Sequence, residues 1–445
     1  MINLESCRIA LKELPPHIKN AEFNIEKNTS YLVKVTGKEV AGNSYSDITE
    51  VFVRASGEKT GFAYTQDLNE NPKDLITKAY NNSLDIEFSN LNILNKEGRY
   101  EVLPENTVNL QEMVNYARLL EEKLLKSHKS IESVVVESRT DINRSSILNS
   151  YGLDKRYERK VSYLSAHIVA KYQDKVYNLS NAMSGRQYRD IDMEDIIDQV
   201  INQLESQFNA RSYKSGVYSC LLDKSVMVNI MMTAWQLFSG IKYSDSALTG
   251  RLNSTIGSAA FTLIDSPAHH KTGYHYRFDC EGTEAGENIL VENGYLKGLM
   301  HNILTAHSVG HKPTGNAGRY ALLSGTIPTD IIVVPKILYI KPGKKDRRDL
   351  LKQLKDGIYI TESYDVFHSI NISSGNFSIP CRGSLIRNGK KAENITEMTI
   401  SGNLIDLFKN IKEVGNDIYI EEFLKKSYCI GSPSVIVTNL NVNAG

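Results

Sequence analysis

The chain is poor in cysteine, tryptophan and long apolar runs, and it has no excess of charge of either sign. Its five cysteines, Cys7, Cys220, Cys280, Cys381 and Cys429, are scattered over 445 residues and never form a CxxC pair. That pattern excludes a disulfide framework and a local zinc knuckle. Lys plus Arg and Asp plus Glu both number 52, so no net field recruits nucleic acid or an anionic membrane. The most apolar helical stretch, residues 226–241, is interrupted by Asn229 and Gln236. It falls short of the roughly 18 residues that a bilayer span needs. The first residues lack the basic segment and apolar run of a secretory signal, so a reduced, cytoplasmic protein is expected. No GxxxxGK[ST], GxGxxG after a strand, or GxSxG is present, and no His is followed by Glu. Phosphate-loop, dinucleotide, serine-hydrolase and helix-borne zinc-protease chemistry therefore lack their usual local motifs.

What the chain does contain is alternating blocks of strand and helix. Residues 31–35 and 48–55 are β-branched or aromatic, with Gly57 and Gly61 bracketing a turn. Pro72 opens a helix carrying Leu75, Ile76 and Ala79 on one face, and a second helix spans 108–125 at a 3.6-residue period. Strand patterns follow from 133 to 182, broken by a turn at Tyr151-Gly152. Asp192 then caps a third helix with Ile196, Val200 and Leu204 in its stripe. The polar stretch 209–216 marks a boundary. It separates an N-terminal domain, 1–212, with subdomains of about 1–100 and 101–212, from a C-terminal domain, 213–445. Beyond it the spacing predicts helices at 226–238, 346–355 and 404–414, the last stopped by Gly415, and a closing strand at 434–442. Without regular βαβ spacing the class is α+β. We expect an N-terminal region of antiparallel strands and helices, and a strand-rich, barrel-like C-terminal domain.

Few residues announce chemistry. His269, His270 and His275 flank a Lys-Thr-Gly turn and read as loop residues. His307 and His311 stand at i, i+4, but Gly310 lies between them and Lys312-Pro313 follows, which favours a helix C-terminus over a metal pair. Asp279 and Glu281 before Gly282 suit an acid/base or cation site, or more simply the rim of a hairpin. Cys429 has Lys425 and Lys426 nearby but no histidine, which favours a small buried hydrophobe over a nucleophile. Glycine and asparagine cluster at 314–319, 401–403 and 414–417, where flexible backbone can approach another strand or a bound peptide.

Read in order, these segments resemble the TldD/PmbA family of metalloprotease components, once called modulators of DNA gyrase. The resemblance rests on Phe278-Asp-Cys-Glu-Gly-Thr283, Ile289 to Gly298, Lys312-Pro-Thr-Gly-Asn-Ala317, Glu397 to Leu404, Val414-Gly-Asn-Asp417 and Cys429-Ile-Gly-Ser432. TldD-type members carry an HExxxH zinc motif and a distant Cys ligand; PmbA (TldE)-type members lack the His-Glu pair. Here the corresponding helix runs Asn229-Ile-Met-Met-Thr-Ala-Trp-Gln-Leu-Phe-Ser239, so Asn229, Thr233, Trp235 and Ser239 stand on its degenerate face. The resemblance is therefore to the PmbA branch. It implies a non-catalytic subunit without a catalytic residue or cofactor of its own, zinc in a TldD-type partner, and unfolded or leader peptides as ligands. A homodimer is the alternative assembly, and neither nucleic acid nor membrane is expected as a partner. The family motifs imply substrate contacts at Asp279, Glu281, Gly282, Thr314, Gly315, Asn316, Gly402, Asn403, Gly415, Asn416 and Asp417. Two alternatives stay open: an active homo-oligomeric metallopeptidase with an atypical metal set such as His307, His311 and Cys429, and a peptide-binding scaffold with no protease partner.

Overall fold

The computed structural model describes residues 1–84, 94–95, 98–102, 107–319, 331–423 and 428–444. Its first sheet contains β1 (Asn20–Thr36), β2 (Glu39–Ser56), β3 (Thr60–Thr65), β4 (Gly98–Val102), β5 (Ile131–Asn149), β6 (Leu153–Tyr172) and β7 (Lys175–Gly185). The order is β3-β2-β1-β5-β6, and both β4 and β7 pair with the far side of β6. All pairs are antiparallel except β4–β6. The β1–β2 hairpin is far longer than its two apolar stretches. Gly37 and Lys38 both take positive φ, the backbone of a tight two-residue hairpin turn. Near that turn β2 is largely exposed, with Val40, Tyr45 and Ile48 open to solvent, whereas Val33 and Val35 of β1 are buried.

Two helices cover one end of this sheet. In α1 (Leu4–Lys12) and α2 (Pro72–Leu84), Cys7, Ala10, Leu75 and Ile76 pack on Phe23, Val51 and Val53. Gly61 of β3 sits so close to α2 that a Cβ there would lie 2.1 Å from the Ala79 carbonyl oxygen. Along the rest of the sheet lie α3 (Leu110–Ser127) and α4 (Met193–Ser206), the latter capped by Asp192 as expected. Their apolar stripes join a core that continues into the C-terminal half.

That half is built on a five-stranded barrel. Strands β8 (Gly216–Leu222), β15 (Gly357–Ser363), β16 (Asn376–Arg387), β17 (Lys390–Asn403) and β21 (Val435–Ala444) follow the order β17-β16-β15-β8-β21. Pairing of β21 with β17 closes it, and β18 (Ile411–Val414) adds on β21. A second sheet runs β11-β10-β9-β14-β20-β19, from β9 (Leu263–Ser266), β10 (Asn288–Glu292), β11 (Tyr295–Leu296), β14 (Ile337–Ile340), β19 (Tyr419–Phe423) and β20 (Tyr428–Ser432). A short ribbon pairs β12 (Ala317–Gly318) with β13 (Ile332–Val333). The helices here are α5 (Lys224–Ala234), α6 (Ile303–Ser308), α7 (Arg347–Leu354), α8 (Val366–Ser369) and α9 (Leu404–Lys409). The class is thus α+β with a barrel in the C-terminal half, as the sequence predicts. No described helix is long and apolar enough to cross a membrane.

One expected helix is cut short. The 404–414 pattern splits at Asn410, whose N–H bonds the Asp406 and Leu407 carbonyls and whose own carbonyl accepts from Thr438 N–H. Ile411 and Val414 then pair with β21. Sheet pairing overrides a helical period that the apolar residues alone satisfy.

Candidate functional site

The motif carboxylates lie inside the molecule and not on a hairpin rim. Asp279 and Glu281 are each 2% exposed. Asp279 Oδ1 accepts from the Glu281 and Thr283 N–H groups at 2.9 and 3.0 Å, and Oδ2 from Ala317 N–H at 2.9 Å. Glu281 Oε2 accepts from Ile303 N–H at the start of α6 (2.8 Å), and Oε1 accepts from Arg54 Nη1 (3.1 Å). Arg54 also reaches Glu22 at 2.9 Å. Because Arg54 and Glu22 belong to β2 and β1, this network ties the first sheet to the C-terminal half. Gly282 turns at φ +77°, and its carbonyl accepts from Lys155 Nζ at 3.0 Å. Burial pushes the Asp279 carboxyl well above its ordinary value.

The glycine–asparagine motifs also fasten backbone, Asn316 in the interior, Asn403 half-buried and Asn416 at the surface. Asn316 donates to Asp265 at 2.7 Å and to the Val334 carbonyl at 3.0 Å, while Thr314 donates to Asn316 Oδ1 at 2.6 Å. Gly315 takes φ +77°, where a Cβ would sit 2.6 Å from the Glu284 carbonyl oxygen. Asn403 caps α9 by accepting from Ile405 N–H at 3.0 Å, and a Cβ on Gly402 would press on the Phe377 ring. Gly415 accepts from Gly343 N–H at 2.7 Å, and Asn416 donates to the Lys344 carbonyl at 3.4 Å. Asp417 accepts from the Ser434 N–H and hydroxyl at 2.9 and 2.7 Å. The residues on which the resemblance implied substrate contacts therefore organise backbone, and none borders the cleft described next.

The alternative metal set does not assemble. Cys429 is 1% exposed and packs with Tyr163, Tyr274 and Tyr276, and burial raises its thiol well above the ordinary range. His307 and His311 are exposed at the end of α6, where Gly310 turns at φ +69°. Among the described residues no three His, Cys, Asp or Glu side chains are placed to hold a metal ion. Lys425 and Lys426 lie outside the described residues.

A cleft of about 500 Å³ opens between the two halves. Its walls come from β6, β7, α4, α5, the β15–β16 corner and β19, and its lining is rich in amides and hydroxyls. Of the degenerate motif positions, Asn229 alone borders it, donating to Ser363 Oγ at 3.2 Å. Thr233 and Ser239 are buried, and Trp235 turns into the core, edge-on to Tyr428 at 5.5 Å. Tyr428 and Cys429 are successive residues of β20, so they point to opposite faces. Trp235 and Cys429 thus flank no common cavity. On α5, Ser225 and Asn229 are the cleft-facing residues. Zinc needs about three nitrogen, sulfur or carboxylate ligands, and the two cleft-facing residues of this helix supply none.

Two features of the cleft bear on binding. Both β7 and β19 are terminal strands of their sheets, and they meet there, with Tyr419 Oη donating to the Ala182 carbonyl at 3.2 Å. Glu421, half-buried on the same face of β19 as Tyr419, has its carboxyl pushed up to about 7 by burial. Opposite, Arg382 donates to Gln207 at 2.7 Å and lies 3.7 Å from Glu362, which also accepts from the Tyr364 hydroxyl. Sequence reasoning missed this site. Its members are polar residues drawn from seven separate elements, with no local spacing to find.

Comparison with known proteins follows the same outline. Residues 215–444 match the profile described as the PmbA/TldA metallopeptidase C-terminal domain, and residues 103–208 match that of the central domain. A protein named "Metalloprotease" from Methanothermobacter thermautotrophicus is 33% identical over 178 residues, covering 40% of this chain. The match spans only 37% of that relative's length. Among solved structures, TldE from Thermococcus kodakarensis superposes with a TM-score of 0.85 at 21% identity, covering 99% of both chains. A Thermotoga maritima protein described as a candidate modulator of a DNA gyrase gives 0.79 at 26% identity, covering 95% of this chain and 96% of its own.

Proposed function

The chain belongs to the PmbA/TldD metallopeptidase family, and on that premise we propose that it is the PmbA/TldE-type, non-catalytic subunit of a two-component peptidase. In this role it binds an extended peptide in the cleft and presents it to a TldD-type, zinc-bearing partner.

The observation that carries the reading is the face that α5 turns to the cleft. Ser225 and Asn229 can donate and accept hydrogen bonds, but they neither grip a hydrolytic metal nor act as a general base. Peptide binding is supported by the two sheet edges, since a terminal strand offers unpaired N–H and C=O groups to an incoming extended chain. The amide and hydroxyl lining suits the polar backbone of such a ligand. Water activation then belongs to the partner, and this subunit's contribution is orientation.

The test is co-expression with a TldD-type protein from the same source, followed by co-purification and hydrolysis of an unfolded peptide. The pair is expected to cleave, with cleavage lost when either subunit is omitted. A partner that forms no complex with this chain, and cleaves equally well without it, overturns the proposal.

A further inference from the structure

A second cavity, of about 390 Å³, opens at the other end of the same sheet face. Along β6, alternate residues from Lys155 to His167 share one face. Ser165 and His167 reach the cleft, whereas Lys155 lies in this second pocket. Between them Tyr157, Arg159, Val161 and Tyr163 are buried, so the two openings are separated by packed side chains.

The pocket concentrates positive charge against aromatic walls. Arg186, just after β7, and Arg277 both line it and are exposed. Among the described residues no carboxylate lies within salt-bridge distance of either guanidinium. Lys155 Nζ is held by the Gly282 carbonyl at 3.0 Å, and its nearest acid, Glu284, stands 3.7 Å away with its side chain 85% exposed. Tyr276 and Phe278 supply buried ring surface. Half-buried His275 reports the field: burial first, then Arg159, Arg186 and Arg277, pull it down to about 4.

We propose that this pocket binds a small ligand bearing an oxyanion, a carboxylate or a phosphate, attached to an apolar or aromatic body. The planar guanidinium forks of Arg186 and Arg277 match such a group in geometry and charge. Half-buried Tyr100, Pro267 and Ala285, backed by the rings of Tyr276 and Phe278, supply the apolar wall that a small-molecule site needs. The site does not depend on the role assigned to the cleft, because it shares no lining residue with it.

Calorimetric titration of the intact protein with phenyl phosphate and with N-acetylphenylalanine separates the two sources of the oxyanion, with N-acetylphenylalanine amide as the neutral control. At least one acid is expected to bind, and the amide is not. The double variant Arg186→Gln/Arg277→Gln should weaken binding about tenfold or more. Arg251→Gln, which alters an exposed arginine outside the pocket, should leave it unchanged. Binding should also raise the titration midpoint of His275, read by NMR. Absence of binding by both acids, equal binding of the amide, or indifference to the double variant overturns the proposal.

Discussion

Glu281 joins the two halves of the protein through a single carboxylate, with Arg54 of β2 on one oxygen and the first N–H of α6 on the other. Removing it leaves Arg54, 8% exposed, with Glu22 alone. Arg54 keeps its Glu22 counter-charge, so the loss is the two buried donors left without an acceptor, Arg54 Nη1 and the Ile303 N–H, at about 1–3 kcal/mol each. Glu281→Ala should therefore lower the denaturant midpoint sharply in equilibrium unfolding, and a change below about 1 kcal/mol would deny the network this role. Glu421 makes a different prediction. Its carboxyl rises from 4.5 to about 7 on folding, so between these values the folded state holds a proton that the unfolded state has released. Its contribution to stability therefore falls as pH climbs from about 4.5 to 7 and is level above. The depressed histidines His269 and His275 act in the opposite sense over part of this window, so the quantity to measure is a difference. Relative to wild type, Glu421→Gln should gain stability progressively from pH 4.5 to 7, and a pH-independent difference would contradict the assignment. Sequence motifs located Asp279, Glu281 and Asn316 but misjudged their surroundings. Their partners Arg54, Ala317 and Asp265 lie 227, 38 and 51 residues away, and local pattern carries no trace of such burial.

At the scale of elements, the legible parts were those with strong apolar periodicity, such as α3, α4 and the apolar ends of β1 and β2. Helix α1 was not, because its buried face is made of Cys7, Ala10 and Leu11 while Ile9 is 47% exposed. The β18 strand was hidden by apolar spacing that serves a helix equally well. The edge positions of β7 and β19, which shape the cleft, follow from sheet order and could not be read from either segment. The barrel has close approaches at two glycines: a Cβ on Gly357 would lie 2.2 Å from the Ser219 carbonyl oxygen, and one on Gly383 2.0 Å from the Tyr359 carbonyl oxygen, beside a bulge between β15 and β16. Gly383→Ala should cost about 1–3 kcal/mol by forcing the strands apart. Thermal unfolding checks it, and an unchanged midpoint would mean that the barrel yields freely there.

Across the whole molecule one apolar core runs from α3 and α4 through α5 into the barrel, and the cleft lies where these halves meet. The packing behind α5 is occupied by Trp235, Leu237 and Phe238, all buried, which leaves only polar, uncharged groups of that helix on the open side. In the proposed function this arrangement holds a peptide without hydrolysing it. Elemental analysis of the purified chain, paired with a hydrolysis assay on an unfolded peptide, tests this most directly. Far less than one zinc per chain and no cleavage by the isolated protein are expected. About one tightly held zinc per chain, together with cleavage that a chelator abolishes, would contradict it.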